Sequence, residues 1–182
     1  MAFTLPWAAL PAFLSAYAHA QLSNHTVDDG GADSFTGAMI SYSNYTEWNF
    51  GPRCVACIAH LDPEKVHNHT WHDATYDGSE DIFSLPQNAT FKFTGSALYV
   101  YGVISNTVDI TGTSNTGISF FIDNESVGQF SHFSDGSNAY KYHVLLYANT
   151  SLPHKEHCFK LQNGHIGGSA SLILLDYIIY SR

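Results

Sequence analysis

SLILLDYIIY, residues 171–180, decides the fold. The run is apolar at nearly every position, rich in β-branched residues and interrupted only by Asp176 among charged groups. It is too short to cross a bilayer as a helix. It reads as a strand at the middle of a sheet, covered on both faces. Working outward, Phe91-Lys92-Phe93 and Tyr140-Lys141-Tyr142-His143-Val144 alternate apolar and polar, the pattern of strands with one face in a core. Short runs of Val, Ile, Phe, Tyr and Thr bounded by Gly, Asn, Asp or Ser predict further strands. The set is residues 38–42, 72–76, 89–93, 97–104, 118–122, 126–130, 141–147, 157–162 and 171–180. Asp123-Asn124 suits a hairpin turn, Thr94-Gly95-Ser96 a tight turn, and Pro63 to Val66 one helical turn at most. So many short strands and so little helix predict an all-β protein, an antiparallel β-sandwich. Residues 21–37 read as a loose lead-in, 38–182 as the β-sandwich domain and 105–117 as an exposed loop.

Residues 1–20 read differently. An apolar stretch from Leu5 to Leu14 is followed by Ala18-His19-Ala20, a small-x-small pattern that suits signal peptidase. Pro6 and Pro11 argue against a buried helix there. A signal peptide predicts an extracellular, secreted chain. Six N-x-S/T sequons agree with that: Asn24, Asn44, Asn68, Asn88, Asn124 and Asn149. The net charge is −9, and seven Lys and Arg are dispersed, so no basic face for nucleic acid is present. No apolar run in the mature chain is long enough for a membrane span.

Cys54-Val55-Ala56-Cys57 is a CxxC, and Cys158 stands alone. In an oxidising compartment the CxxC predicts a local bridge that tightens a loop. Redox activity would call for a helix N-terminus to lower the thiolate pKa, and no helix pattern follows the pair. Cys158 reads as a buried free thiol in a strand, with a bridge to one of the other two left open.

Three signatures carry a resemblance. They are residues 93–102 (FTGSALYVYG), residues 120–124 (FFIDN) and residues 174–178 (LLDYI). They resemble the pattern of galactose-binding-like jelly-roll domains, a superfamily that includes many carbohydrate-binding modules. More narrowly the chain resembles a family of small secreted proteins from mushroom-forming fungi. This rests on Ile40 to Ser43 with Trp48-Asn49, Gly51-Pro52 with the CxxC, Asp62-Pro63, residues 68–73 (NHTWHD), residues 147–152 (YANTSL), Gln162 to His165 and the final LLDYIIY. Members of that family often continue into a membrane-spanning segment, whereas this chain stops after its last strand, which implies a freely secreted form. Cys158 falls where an ordinary strand residue is expected. The resemblance implies a fold and a compartment, not a reaction.

Chemistry was sought in three places. His67, His69, His72 and Asp73 are metal-ligating types, but strand alternation puts His69 and Asp73 on one face and His72 on the other. Hydrolysis would require a nucleophile with a base and an orienting acid, for which no G-x-S-x-G motif is present, or a pair of carboxylates, for which Asp73, Asp81, Asp123 and Asp135 are candidates. Sugar binding needs an aromatic platform with planar polar groups beside it. The aromatics in or beside loops that suit this role are Tyr45, Trp48, Tyr76, Phe133 and Tyr140. By analogy with the end loops of jelly-roll domains, the expected ligand residues are Trp48, Trp71, His72, Asp73, Asn163 and His165. The same analogy offers a structural calcium, with Asp28, Asp29 and Asp176 as ligands. The reading is therefore a non-catalytic domain that binds a glycan or cell-wall polysaccharide. A structural glycoprotein with a protein partner is the first alternative, and a hydrolase on the same scaffold the second.

Overall fold

The computed structural model describes residues 22–43, 46–78, 85–107 and 113–182. The expected signal peptide, Asn44, Tyr45 and Asp81 lie outside them. The described residues form eleven strands: β1 (Asn24–Asp28), β2 (Ser41–Tyr42), β3 (Trp48–Phe50), β4 (His72–Tyr76), β5 (Gln87–Gly95), β6 (Ala97–Ser105), β7 (Thr116–Ile122), β8 (Glu125–His132), β9 (Tyr140–Asn149), β10 (Lys155–Asn163) and β11 (Ser171–Ser181). One antiparallel sheet runs β3-β4-β11-β6-β9, with β1 also on β11; the other runs β2-β5-β10-β7-β8. From β5 onward the chain passes repeatedly from one sheet to the other, which makes the sandwich a jelly roll. The expected all-β antiparallel sandwich is what forms.

β11 is central, as its apolar run requires. Its first half pairs with β4 and its second half with β1 along one edge, while β6 lines the other. The inward residues of both sheets, among them Phe91, Phe120, Phe159, Leu161, Ile173, Leu175 and Ile178, make the main core. Leu174 points the other way, and the segment between β3 and β4 covers it. Ala59, Leu61, Val66 and Trp71 of that segment close over Leu174 and Val103 in a second, smaller core. That cover explains why the alternation of β11 disappears: both faces are dry.

Two expectations shift here. The lead-in contains β1, whose Val27 is fully buried in the main core. Its sequence, NHTVD, is polar enough to hide a strand that is buried at one position only. β3 was also missed, because three residues carry no period. Pro63–Lys65 does form a single 3-10 turn, capped by Asp62, whose carboxylate accepts from the Glu64 N–H at 3.1 Å. Asp123 and Asn124 both take positive φ, 53° and 69°, as a two-residue hairpin turn demands. Asp123 also ties the turn to β10. It accepts from the Cys158 N–H and faces the His157 ring, and these contacts, led by the Cys158 N–H, hold its carboxyl down at about 2.

The covering segment enters through Gly51, whose backbone lies flat on the Trp71 ring. A Cβ there would fall 1.9 Å from ring atoms. Gly51→Ala should therefore cost about 2–3 kcal/mol by overpacking, seen as a lower urea midpoint with an unchanged slope.

Candidate functional site

The strand registers give the sandwich two unlike ends. At one end lie the starts of β1 and β10, the end of β11, the β7–β8 turn and the end of β9. The sequons Asn24, Asn124 and Asn149 all sit there. At the opposite end lie the connections after β4, β6, β8 and β10. Asn68 is exposed on the covering segment, and Asn88, half-buried on β5, donates its amide N–H to Ser43.

A groove opens at this second end, between the β7–β8 edge and the 164–170 turn. It encloses about 290 Å³ and is lined by Asn115, Ser119, Gln129, Ser131, Phe133 and His165, among others. Ser119 pairs with Gln129 and Gly117 with Ser131 across β7 and β8, so the hydroxyls and the amide share the outer face of the sheet. Phe133 continues that face and is 77% exposed. Its loop is anchored by the Ser134 N–H, which donates to Asn115 Oδ1 at 3.0 Å. His165 is held by a turn in which the Gly168 N–H donates to its carbonyl at 2.8 Å. Gly167 takes φ +72°, and the imidazole lies against Gly168, where a Cβ would come within 2.5 Å of the ring. An exposed ring beside a row of small polar groups is an arrangement that can take the apolar face and the hydroxyls of a sugar.

A second cavity, about 370 Å³, lies on the outer face of the other sheet beneath the Cys54–Cys57 loop. Asn49, Asp73, Thr75, Ser114 and Tyr140 line it. Asp73 is buried, and burial pushes its carboxyl above the usual range against the opposing pull of the Asn49 amide and His72.

The six expected ligand residues do not converge. His165 lines the groove and Asp73 the cavity. Trp48 is buried in the main core, 4.7 Å from the Tyr42 ring, and Trp71 in the small core. His72 is half-buried, its Nδ1 2.5 Å from Asp29 and its ring stacked on Tyr42. Asn163 has no exposed surface. Its amide donates to the Ala74 and Ser171 carbonyls and to Gln87 Oε1, and its Oδ1 accepts from Ser171 Oγ at 2.7 Å. Among the carboxylates weighed for hydrolysis, Asp123 lies at the sequon end, Asp73 in the cavity and Asp135 in the β8–β9 loop. The groove residues that went unnamed, Gln129, Ser131 and Ser119, were legible only as a period of two: Gln129, Ser131 and Phe133 fall two apart.

The three aspartates expected to hold calcium do come together. Asp28 ends β1, Asp29 donates its N–H to the Asp176 carbonyl at 3.1 Å, and Asp176 sits in a bulge of β11. Thr70 Oγ1 donates toward Asp28 and Asp29, and His72 occupies the second oxygen of Asp29. Asp28 Oδ1 and Asp176 Oδ2 are buried with no hydrogen-bond partner. Among the described residues no group of three or more His, Cys, Asp or Glu is arranged to hold a metal ion. The Cys54–Cys57 bridge forms as expected, and Cys158 is free but only half-buried rather than buried, because strand alternation turns it away from the core that His157 and Phe159 face. No helix of the described residues is long and apolar enough to cross a membrane.

No family model and no curated protein matches the chain. Solved structures do. A cycloisomaltooligosaccharide glucanotransferase from Paenibacillus sp. aligns at a TM-score of 0.48 and 14% identity, covering 84% of this chain and 17% of that one. A family 35 carbohydrate binding module from Clostridium thermocellum aligns at 0.44 and 7%, covering 86% and 96%. A Podospora anserina GH26-CBM35 β-(1,4)-mannanase aligns at 0.37 and 12%, covering 86% and 27%. The chain thus spans a small part of the two enzymes and nearly all of the module.

Proposed function

We propose that this protein is a secreted, N-glycosylated, non-catalytic domain that binds a glycan at the cell wall or cell surface. The observation that carries the reading is Phe133, 77% exposed over a groove of hydroxyls, an amide and an imidazole. An exposed aromatic ring beside convergent polar groups offers a sugar both a platform for its apolar face and partners for its hydroxyls. The groove lies away from the end that bears Asn24, Asn124 and Asn149, so glycans there leave it open. Phe133 supplies the ring, while Gln129, His165 and the Ser hydroxyls bond sugar hydroxyls.

A glycan array probed with the secreted protein tests this. Phe133→Ala should lower affinity for the bound glycan about tenfold or more, about 1.4 kcal/mol, with an unchanged melting temperature. An array blank for a folded protein overturns the reading. A protein partner is then favoured by Ile166, 71% exposed beside Leu85 over a shallow depression at the same end.

A further inference from the structure

The cavity under the Cys54–Cys57 loop holds groups that glycan binding does not use. Val55 and Ala56 stand out in solvent, so the bridge closes an exposed loop, and both cysteines reach the cavity. Cys57 Sγ lies 3.7 Å from Asp73 Oδ2. A disulfide sulfur carries no proton, so this contact is not a hydrogen bond while the bridge is closed. It becomes one when Cys57 is a thiol, because S–H then points a donor at the carboxylate. Asp73 itself is poorly provided for. Asn49 Nδ2 donates to Oδ2 at 3.0 Å, while Oδ1 is buried with no closely placed hydrogen-bond partner among the described residues. A buried carboxylate left half-satisfied favours its protonated form. The other groups near it are His72, next to it on β4, the Trp71 indole N–H, which like Asn49 pulls toward the carboxylate, and the Tyr140 hydroxyl from β9, which accepts from the His60 N–H.

We propose that Cys54, Cys57 and Asp73 form a thiol–disulfide exchange site, with Asp73 as the acid that protonates Cys57 when the bridge opens. The substrate class is a dithiol, on a protein or a small molecule. One thiol of the partner loses its proton to solvent and attacks Cys54 Sγ. The Cys54–Cys57 bond breaks, and Cys57 leaves with the electron pair and takes the carboxyl proton of Asp73. The partner's second thiol loses its proton to solvent and attacks the partner sulfur of the mixed disulfide. Cys54 leaves and takes a proton from water, and Asp73 regains its own from solvent. The partner is oxidised by two electrons to a disulfide, the CxxC is reduced by two to thiols, and the protons balance. No helix dipole is needed. A CxxC at a helix N-terminus works by stabilising its thiolate; this site uses the opposite device, an acid that quenches the leaving thiolate.

The test uses the full secreted chain with Cys158 first blocked by N-ethylmaleimide. Dithiothreitol is the probe, and alkylation read by mass reports two new thiols over time from pH 5 to 8.5. Native reduction should proceed without unfolding. Asp73→Asn should slow it at least about tenfold at the acidic end, the gap closing as pH rises and Asp73 ionises. A peptide of residues 51–60 carrying the same bridge gives the reference profile. If Asp73→Asn does not fold, a wild-type pH–rate profile that departs from the peptide's at the acidic end supports the proposal. Reduction that occurs only with unfolding overturns it, and so does a wild-type profile that matches the variant's or the peptide's.

Discussion

Asn163→Asp should destabilise the fold severely, by about 5 kcal/mol. The side chain has no exposed surface, and its amide N–H groups face the Ala74 carbonyl, the Ser171 carbonyl and Gln87 Oε1. Asp is the same size but offers no donor when ionised. It would put a negative charge against three oxygens and strand all of them in a dry interior. A domain of this size has only about 5–15 kcal/mol in hand. Asn163→Ala, which removes the donor without adding a charge, should cost about 3 kcal/mol. Urea unfolding and secreted yield measure both. The comparison also separates two roles for Asn163, which the loop pattern offered as a sugar ligand. A ligand residue would lose binding and leave the unfolding midpoint in place.

Asp176→Asn should act in the opposite direction above neutral pH. Asp176 sits in the β11 bulge with a side chain wholly out of solvent. Oδ1 accepts from the His67 N–H at 2.8 Å, while Oδ2 has no hydrogen-bond partner and lies 3.8 Å from His143 Nδ1. Burial first, then the charges of Asp29 and Asp28, push its carboxyl up to about 7, against the pull of the His67 N–H. Unfolded, it titrates near 4. Between about pH 4 and pH 7 the folded chain holds a proton that the unfolded chain releases. Stability therefore falls as pH rises through that window, by about 3–4 kcal/mol in full, and levels off above it. Asn keeps the acceptor for His67 and cannot ionise. The variant should match wild type near pH 4 and exceed it by that margin at pH 8. Asp28, also raised by burial first and then by Asp29, contributes in the same direction in wild type. Melting curves at pH 4, 6 and 8 read the effect. The expected calcium is tested in the same experiment. A cation bridging Asp28 and Asp176 would stabilise wild type at pH 8, EDTA would remove the gain, and Asp176→Asn would be the weaker protein.

The sandwich was legible because two local periods carry it. β4 runs from His72 to Tyr76, the residues the pattern named, and β5, β7, β8, β9 and β10 each extend the predicted strand by a residue or more. Period-two alternation in Phe91-Lys92-Phe93 and the unbroken run of β11 reflect what each face touches, and that follows from residue type alone. β1 was hidden because its strand character comes from β11, which supplies the ladder and the core around Val27. The local Cys54–Cys57 bridge was equally legible, since three residues of separation leave little else in reach.

The site was a different matter. Aromatic and polar types told which residues can bind a sugar, but not which of them reach water. Trp48 and Trp71 have the right chemistry and lie in the two cores, and Phe133, equally aromatic, is left outside. Asn163 and His165 stand two apart in one turn, yet the first is locked in the interior and the second faces the groove. Asp28, Asp29 and Asp176 meet only because β1 pairs with β11 across almost the whole chain, and Cys57 meets Asp73 only because the β3–β4 segment folds back over the sheet. The sequence by itself determined the longer strands, the turn chemistry, the local bridge and the all-β class, since each depends on neighbours a few residues away. Exposure, and the company that each polar group keeps, were decided by the tertiary structure, since both depend on chain segments that only packing brings together.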